Sequence, residues 1–196
     1  MAVTNDEAKR IVTSVMPRYN GTLTQEQVAE GVRLSQDNAV RLLNSARLLL
    51  HAGDAPTAMS LAILALEENG KVEILHKIAS ASNSEDIKKY WREYRDHKSK
   101  TSAFLKDYAA QKGIVGCQEV TEFCEHNSDM LPLVDLMKQL GFYTDCSGNC
   151  HWHDPKKISD IITVTIFSAA EKAILGNIST DAILLMKAIW RARNEQ

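Results

Sequence analysis

Apolar residues recur at helical spacing from the first quarter of the chain onward. Thr24, followed three residues later by Gln27, has the pattern of a capping box and predicts a helix start. Gly53 is the type of residue that commonly ends a helix. The apolar positions between these signals are Val28, Val32, Val40, Leu43, Ala46 and Leu50. The pattern predicts one long amphipathic helix.

The next segment predicts a helix at the centre of the molecule. Asp54 is a suitable N-cap and Pro56 falls in the first turn. From Ala58 to Leu66 the segment is apolar on every side, which is typical of a helix covered by neighbours all round. Gly70 lies inside the pattern, where glycine costs about 1 kcal/mol relative to alanine. A close helix crossing would explain its presence there.

Three further helices are predicted in the middle of the chain. Residues 82–113 form the longest pattern and predict one unbroken helix. A local unwinding between Arg92 and His97 is the alternative, although no Gly or Pro lies in 83–112 to favour it. Two smaller helical segments follow at 116–126 and 131–141.

The pattern then changes before two closing helices. Residues 142–154 have no helical period, and their Ser-Gly-Asn turn predicts a short β-hairpin. Helices are expected at 155–175 and 179–193. We therefore predict an all-α bundle with one hairpin-like turn, in which residues 1–22 form an N-terminal extension with a short helix and residues 23–196 form a single domain.

Composition and charge narrow the function classes. The 196 residues carry a net charge of −2, so nucleic-acid contact is expected only at a local basic patch. No run approaches 18 apolar residues, and the first ten residues lack the apolar core of a signal peptide. These features predict a cytoplasmic protein with no membrane partner. The four cysteines are then expected to be free thiols.

One such basic patch occurs in KKYWREYRDHKSKT, residues 88–101. Residues 88–100 carry six Lys or Arg against Glu93 and Asp96, a local charge of +4. In a straight helix His97 lies on an aromatic packing stripe, and Arg92 is about 140° away from it. Lys89–Glu93 and Arg92–Asp96 have the spacing of ordinary surface ion pairs, and His97 has Glu93 one turn back. On pattern alone, a solvated helix face is the simpler interpretation.

The residue types nevertheless suit metal-free RNA cleavage. A neutral imidazole such as that of His97 can take a proton from a ribose 2′-OH. A guanidinium such as that of Arg92 can hold the phosphate and its developing charge.

The wider sequence resembles a known family. Arg92-x4-His97 matches the Arg-x(4–6)-His motif of the HEPN superfamily of helical RNases and their inactive relatives. Residues 38–71, with their ALEE-x-GK pattern, are similar to the opening helix pair of the AbiV family of bacterial abortive-infection proteins. WREYRDHKSKT and FYTDCSGNCHWHDP also resemble segments of that family. The resemblance covers about residues 36–175.

The resemblance implies a fold, an activity and a set of site residues. HEPN proteins are helical bundles that usually dimerise around a composite cleft, and active members cut RNA without metal or cofactor, leaving a 2′,3′-cyclic phosphate. Abortive-infection members stop growth or translation in phage-infected cells. By position, Arg92 would bind phosphate and His97 would be the acid and base. The residues expected to support RNA binding around them are Arg95, Lys98, Lys100, Glu68 and Lys71.

Two functions remain open at this point. The first is a homodimeric endoribonuclease that uses Arg92 and His97. The second is a non-catalytic protein that blocks translation or engages a phage protein through the same basic patch. Many active HEPN RNases have a polar residue such as Asn after the motif arginine, whereas this chain has Glu93, whose charge would repel phosphate.

Two other groups of residues are of types that occur in functional sites. Cys146, Cys150, His151 and His153 are residue types that bind zinc, but adjacent Cys150 and His151 rarely ligate one tetrahedral ion. A closed site would also need Cys117, Cys124 or His126. A polar hairpin is the favoured interpretation.

Glu67 and Glu68 point about 100° apart on a helix and do not form a carboxylate pair. The spacing predicts a Glu67–Lys71 ion pair and leaves Glu68 for a buried role.

Overall fold

The structure is a computed structural model that describes residue 6 and residues 18–111, 113–114, 116–148 and 150–176. Within that part the chain is a bundle of α-helices with one small hairpin, which confirms the all-α prediction. The elements in chain order are α1 (Gln25–His51), α2 (Ala55–Ser80), α3 (Ser84–Arg95), α4 (His97–Gln111), α5 (Cys117–His126), α6 (Met130–Phe142), β1 (Cys146–Ser147), β2 (His151–Trp152), a 3-10 turn (Pro155–Lys157) and α7 (Asp160–Leu175).

The starts of α1 and α2 and the end of α1 lie where their capping residues predict them. Thr24 Oγ1 accepts from the Gln27 amide at 3.2 Å, and Gln27 Oε1 accepts from the Thr24 amide at 2.9 Å. Gly53 has a φ of 82°, which suits the residue that closes a helix. Asp54 Oδ1 then accepts from the Thr57 amide at 3.3 Å and caps α2. Both capping predictions are confirmed.

The central helix is α2, which packs against α1, α3, α4, α6 and α7. Its segment from Ala58 to Leu66 is largely buried, as its apolar pattern predicts. The largest core cluster joins three helices and consists of Leu43, Ala46, Ala62, Ala65, Leu66, Phe167 and Ala170. Burial of one large apolar side chain in such a cluster contributes about 1.5–3 kcal/mol. This packing makes α2 a fixed support for the helices around it.

Gly70 marks a close helix crossing on α2. A Cβ atom built there would lie 2.0 Å from the Lys100 carbonyl oxygen of α4. The prediction of a close crossing is therefore confirmed. The crossing brings the first turns of α4 against the middle of α2.

The hairpin prediction is also confirmed. Strands β1 and β2 pair antiparallel, with Cys146 opposite Trp152. The expected helix at 155–175 is interrupted, because Asp154 caps only one 3-10 turn and α7 starts at Asp160.

The predicted helix at 179–193 lies outside the described residues, as does most of the 1–22 extension. None of the helices in the described ranges is both long and apolar enough to cross a bilayer.

Candidate functional site at the start of helix α4

The predicted unbroken helix at 82–113 is wrong, because the helix stops at Arg95 and restarts at His97. Asp96 has φ −82° and ψ 127°, which is extended backbone. Asp96 Oδ2 accepts from both the amide and the hydroxyl of Ser99, each at 2.8 Å. Burial would raise the pKa of Asp96, but the hydrogen bonds from Ser99 outweigh it and hold the pKa below its usual value. Asp96 thus caps α4, and an N-cap aspartate can start a helix without Gly or Pro.

The break places His97 at the first position of α4, where it faces α2. His97 Nδ1 lies 2.6 Å from Glu67 Oε2. Because the carboxylate accepts, Nδ1–H is the donor in this contact, and in the neutral form of the ring Nε2 is then the acceptor. The His97 side chain is 55% exposed, whereas Glu67 is only 3% exposed. A buried carboxylate therefore orients an imidazole whose other face is open to solvent.

Glu67 is the centre of a buried charge network. Lys138 Nζ on α6 donates to Glu67 Oε1 at 2.7 Å, and its side chain is 5% exposed. Lys138 also pairs with Asp135 at 2.7 Å. Burial alone would lower the pKa of Lys138, but the hydrogen bonds to Asp135 and Glu67 raise the pKa above its usual value. The site therefore joins three helices, α2, α4 and α6.

The predicted roles of the two glutamates were reversed. Glu68, not Glu67, pairs with Lys71, at 2.5 Å, and both side chains are partly exposed. Glu67 takes the buried position, since it lies on the side of α2 that meets α4 and α6. Lys138 was not predicted as a site residue. A signal for it exists, because Lys138 lies at helical spacing with Leu131, Val134 and Gly141 on the inward side of α6.

The predicted supporting cations divide into two groups. Lys71, Arg95 and Lys100 line one cavity beside α3. Arg92 and Lys98 are exposed, and among the described residues neither side chain makes a hydrogen bond or an ion pair. The structure therefore brings Lys71, Arg95 and Lys100 together and leaves the guanidinium of Arg92 available to a ligand or to a second chain.

The surface ion pairs expected around Glu93 do not form. Glu93 Oε2 lies 3.6 Å from Lys77 on α2, and its side chain is 25% exposed. Neither Lys89–Glu93 nor Arg92–Asp96 is an ion pair in the described part of the chain, and His97 meets Glu67 instead of Glu93. The packing of α3 on α2 and the break at Asp96 account for these differences. Lys77 offsets part of the Glu93 charge.

The candidate zinc ligands of the hairpin do not converge on one point. Cys146 and Cys150 are free, exposed thiols. His153 Nε2 lies 2.9 Å from the Leu140 carbonyl oxygen, so its ring N–H donates back to the end of α6. Among the described residues, no three His, Cys, Asp or Glu side chains are placed to hold a metal ion.

Comparison with protein families matches residues 27–174 to the HEPN_AbiV family, described as AbiV. The chain belongs to the AbiV family of HEPN proteins. The match spans most of the chain and includes Glu67, Arg92, His97 and Lys138, so the whole candidate site lies inside the AbiV region. Comparison with curated proteins and with solved structures gave no match.

Proposed function

We propose that this AbiV-family protein is a phage-defence endoribonuclease that cleaves RNA by acid–base chemistry at His97, without a metal ion. The observation that supports this most is the 2.6 Å contact between a buried Glu67 and a half-exposed His97. A carboxylate that fixes one imidazole nitrogen and leaves the other open is the arrangement that a general base requires.

The reaction uses groups that the chain itself supplies. His97 Nε2 takes the proton from a ribose 2′-OH, and the 2′ oxygen attacks the adjacent phosphorus. The bond to the 5′ oxygen of the next nucleotide breaks, that oxygen takes up a proton from water, and His97 returns the 2′-OH proton to water. The products are a 2′,3′-cyclic phosphate and a free 5′-OH. Arg92 holds the non-bridging phosphate oxygens and offsets the charge that develops on them.

Glu67 and Lys138 position the histidine in this proposal. Glu67 holds the Nδ1–H tautomer and the direction of the His97 ring. Lys138 offsets the buried charge of Glu67 at 2.7 Å, which leaves the carboxylate in a fixed place.

The proposed active form is a homodimer. No hydrogen bond joins Arg92 to His97 in the described part of one chain, whereas the Arg92 side chain is open to a neighbour. We place Arg92 of one protomer against the scissile phosphate held at His97 of the other. Co-expression of Arg92→Ala and His97→Ala chains should then restore part of the activity that each variant lacks alone, because mixed dimers contain one intact pair.

A non-catalytic role is the second candidate. It would use the exposed cations Arg92 and Lys98 to bind the translation machinery or a phage protein, and His97 would only pack against Glu67. The free guanidinium of Arg92 is the observation that favours it.

A growth and phage-plating experiment separates the two functions. With the endoribonuclease, His97→Ala should abolish growth arrest and protection, while the dimer and the helical content remain. His76→Ala, at an exposed histidine on α2, is the matched control and should retain both effects. If His97→Ala still protects but charge reversal at Arg92, Arg95 and Lys98 does not, the non-catalytic role is correct.

A further inference from the structure

A cavity of about 340 Å³ lies beside the His97 site, between α2, α3, α4 and the segment before α1. It falls within the volume range of small-ligand sites, roughly 300–1,000 Å³. Cations and aromatic rings make up its lining, and none of the described lining residues is acidic. The lining residues are Arg18, Tyr19, Lys71, Trp91, Tyr94, Arg95 and Lys100.

Lys100 provides a buried cation without a hydrogen-bond partner among the described residues. The residue is 7% exposed, and the nearest carboxylate oxygen, Glu67 Oε2, is 3.7 Å from its Nζ. Burial lowers the pKa of Lys100, and Lys71 and Lys138 lower it further against the opposing charges of Glu67 and Glu68. An anion in the cavity would give this ammonium a hydrogen-bond partner in addition to its 3.7 Å ion pair with Glu67.

Arg95 is held in a fixed position at the cavity and can bind an anion there. Its guanidinium donates to the Tyr19 carbonyl oxygen at 2.6 Å and lies 5.4 Å over the Trp91 ring. Trp91 is fixed in turn, since its Nε1–H donates to the Gly21 carbonyl oxygen at 2.9 Å. A guanidinium has five N–H donors in a rigid plane, so several remain for phosphate oxygens.

The aromatic rings provide surfaces for a base. Tyr19 lines the cavity and is 56% exposed, so a base can still cover its ring. Tyr94 also lines the cavity, with the Lys71 ammonium 5.3 Å from the centre of its ring. Combined cations and open aromatic rings are the usual elements that bind single-stranded nucleic acid.

The cavity adjoins the His97 site through Lys100 and Glu67. Lys100 lines the cavity and lies 3.7 Å from Glu67 Oε2, the same oxygen that is 2.6 Å from His97 Nδ1. A ligand on Lys100 is therefore separated from His97 by a single shared carboxylate.

We propose that this cavity binds one nucleotide, with its phosphate at Lys100, Arg95 and Arg18 and its base against Tyr19. The nucleotide can come from RNA or be a free mononucleotide, since both present the same base and phosphate. The assignment of the RNA source rests on the proposed function, in which this nucleotide adjoins the scissile phosphate.

The test measures binding to full-length protein that carries His97→Ala, so that the RNA stays intact. The probes are a fluorescein-labelled single-stranded RNA of five nucleotides, free AMP and UMP, and inorganic phosphate. Tyr19→Leu removes the stacking ring, and Tyr143→Leu, at a tyrosine of similar exposure near the hairpin, is its control. Arg18→Gln removes a lining cation, and Arg33→Gln on α1 is its control.

We expect Tyr19→Leu to weaken RNA binding at least about fivefold and Tyr143→Leu to leave it unchanged. Arg18→Gln should reduce the slope of log affinity against log salt by about 0.7, as for one lost phosphate contact to a single strand. Competition by AMP or UMP that depends on Tyr19 would show that a free nucleotide suffices. RNA binding without such competition would show that the nucleotide must belong to a strand.

Two results would overturn the proposal. One is RNA affinity that neither Tyr19→Leu nor Arg18→Gln changes, or no binding of any probe. The other is displacement of RNA by inorganic phosphate as effectively as by nucleotides, with Tyr19→Leu having no effect, which would mean an anion site without base recognition. If binding depends on Tyr19 but the wild-type protein does not cut RNA, the nucleotide site is supported and only the proposed endoribonuclease function is refuted.

Discussion

Replacement of Gly70 by alanine tests the helix crossing that supports the site. On an isolated helix the change would add stability, about 1 kcal/mol from helix propensity. Here the new Cβ would start 2.0 Å from the Lys100 carbonyl oxygen, whereas such contacts are essentially never shorter than 3.0 Å. The obstacle is backbone and not a side-chain end that can turn away. Helices α2 and α4 must therefore separate by about 1 Å.

The expected loss of stability can be worked out from a separation of this size. A gap of about 0.5–1 Å forfeits a quarter to a half of the dispersion energy between facing atoms, and overpacked cores lose about 1–3 kcal/mol. After subtraction of the propensity gain of about 1 kcal/mol, we expect Gly70→Ala to lower the free energy of unfolding by up to about 2 kcal/mol. For a chain of this length this corresponds to a melting temperature up to about 8 °C lower.

Urea unfolding followed by circular dichroism measures the effect, with Gly31→Ala as the control. A Cβ at Gly31 would lie 3.2 Å from Leu75 Cδ1, the end of a flexible side chain, so that variant should be neutral or more stable. Gly70→Ala should also reduce RNA cleavage, since it moves the helix that carries His97. If Gly70→Ala proved as stable as Gly31→Ala, the close contact of α2 with α4 would be refuted.

The remaining predictions concern the charges around the break and the site. Asp96→Ala should lower the free energy of unfolding by about 1 kcal/mol through loss of the α4 cap, and Asp96→Asn should lose much less. Glu67→Gln should lower the free energy of unfolding by about 3 kcal/mol, because it leaves the buried ammonium of Lys138 poorly paired. The double variant with Lys138→Met should recover part of that loss, as measured by urea titration. Since the folded pKa of Asp96 lies below its ordinary 3.8, its stabilising contribution is complete above that pH and disappears as the pH falls further. Below about pH 4 the free energy of unfolding of Asp96→Asn should therefore fall less steeply with pH than that of the wild-type protein. The same pH profile for both proteins would contradict the proposed cap.

The sequence predicts those features that depend on nearby residues. The starts of α1 and α2 follow from Thr24, Gln27 and Asp54, because a cap is formed within four residues. The close crossing follows from Gly70, because a glycine inside a helix is explained by the close approach of another helix. The hairpin follows from the residues of its Ser-Gly-Asn turn. The break at Asp96 depends on the same local chemistry, and the Asp-x-x-Ser spacing indicates it even though Gly and Pro are absent.

The residues that surround His97 are brought together by tertiary packing and could not be predicted from local sequence. Helix α2 is apolar on every side over much of its length, so periodicity gives no preferred face and does not decide whether Glu67 or Glu68 is buried. The approach of Lys138 joins residues 71 positions apart. His97 meets Glu67 only because the break changes the direction of the chain before it. The motif in the sequence indicates Arg92 and His97 as candidate site residues, whereas the contacts of His97 with Glu67 and of Glu67 with Lys138 are seen only in the structure.

The most direct measurement of the central claim is RNA cleavage in the presence of EDTA, with analysis of the product ends. The account predicts that the wild-type protein cuts RNA and leaves 2′,3′-cyclic phosphate and 5′-OH ends. His97→Ala should abolish this cleavage and His76→Ala should retain it. Cleavage by His97→Ala at the wild-type rate, or products with other end groups, would contradict an active site built on His97 and Glu67.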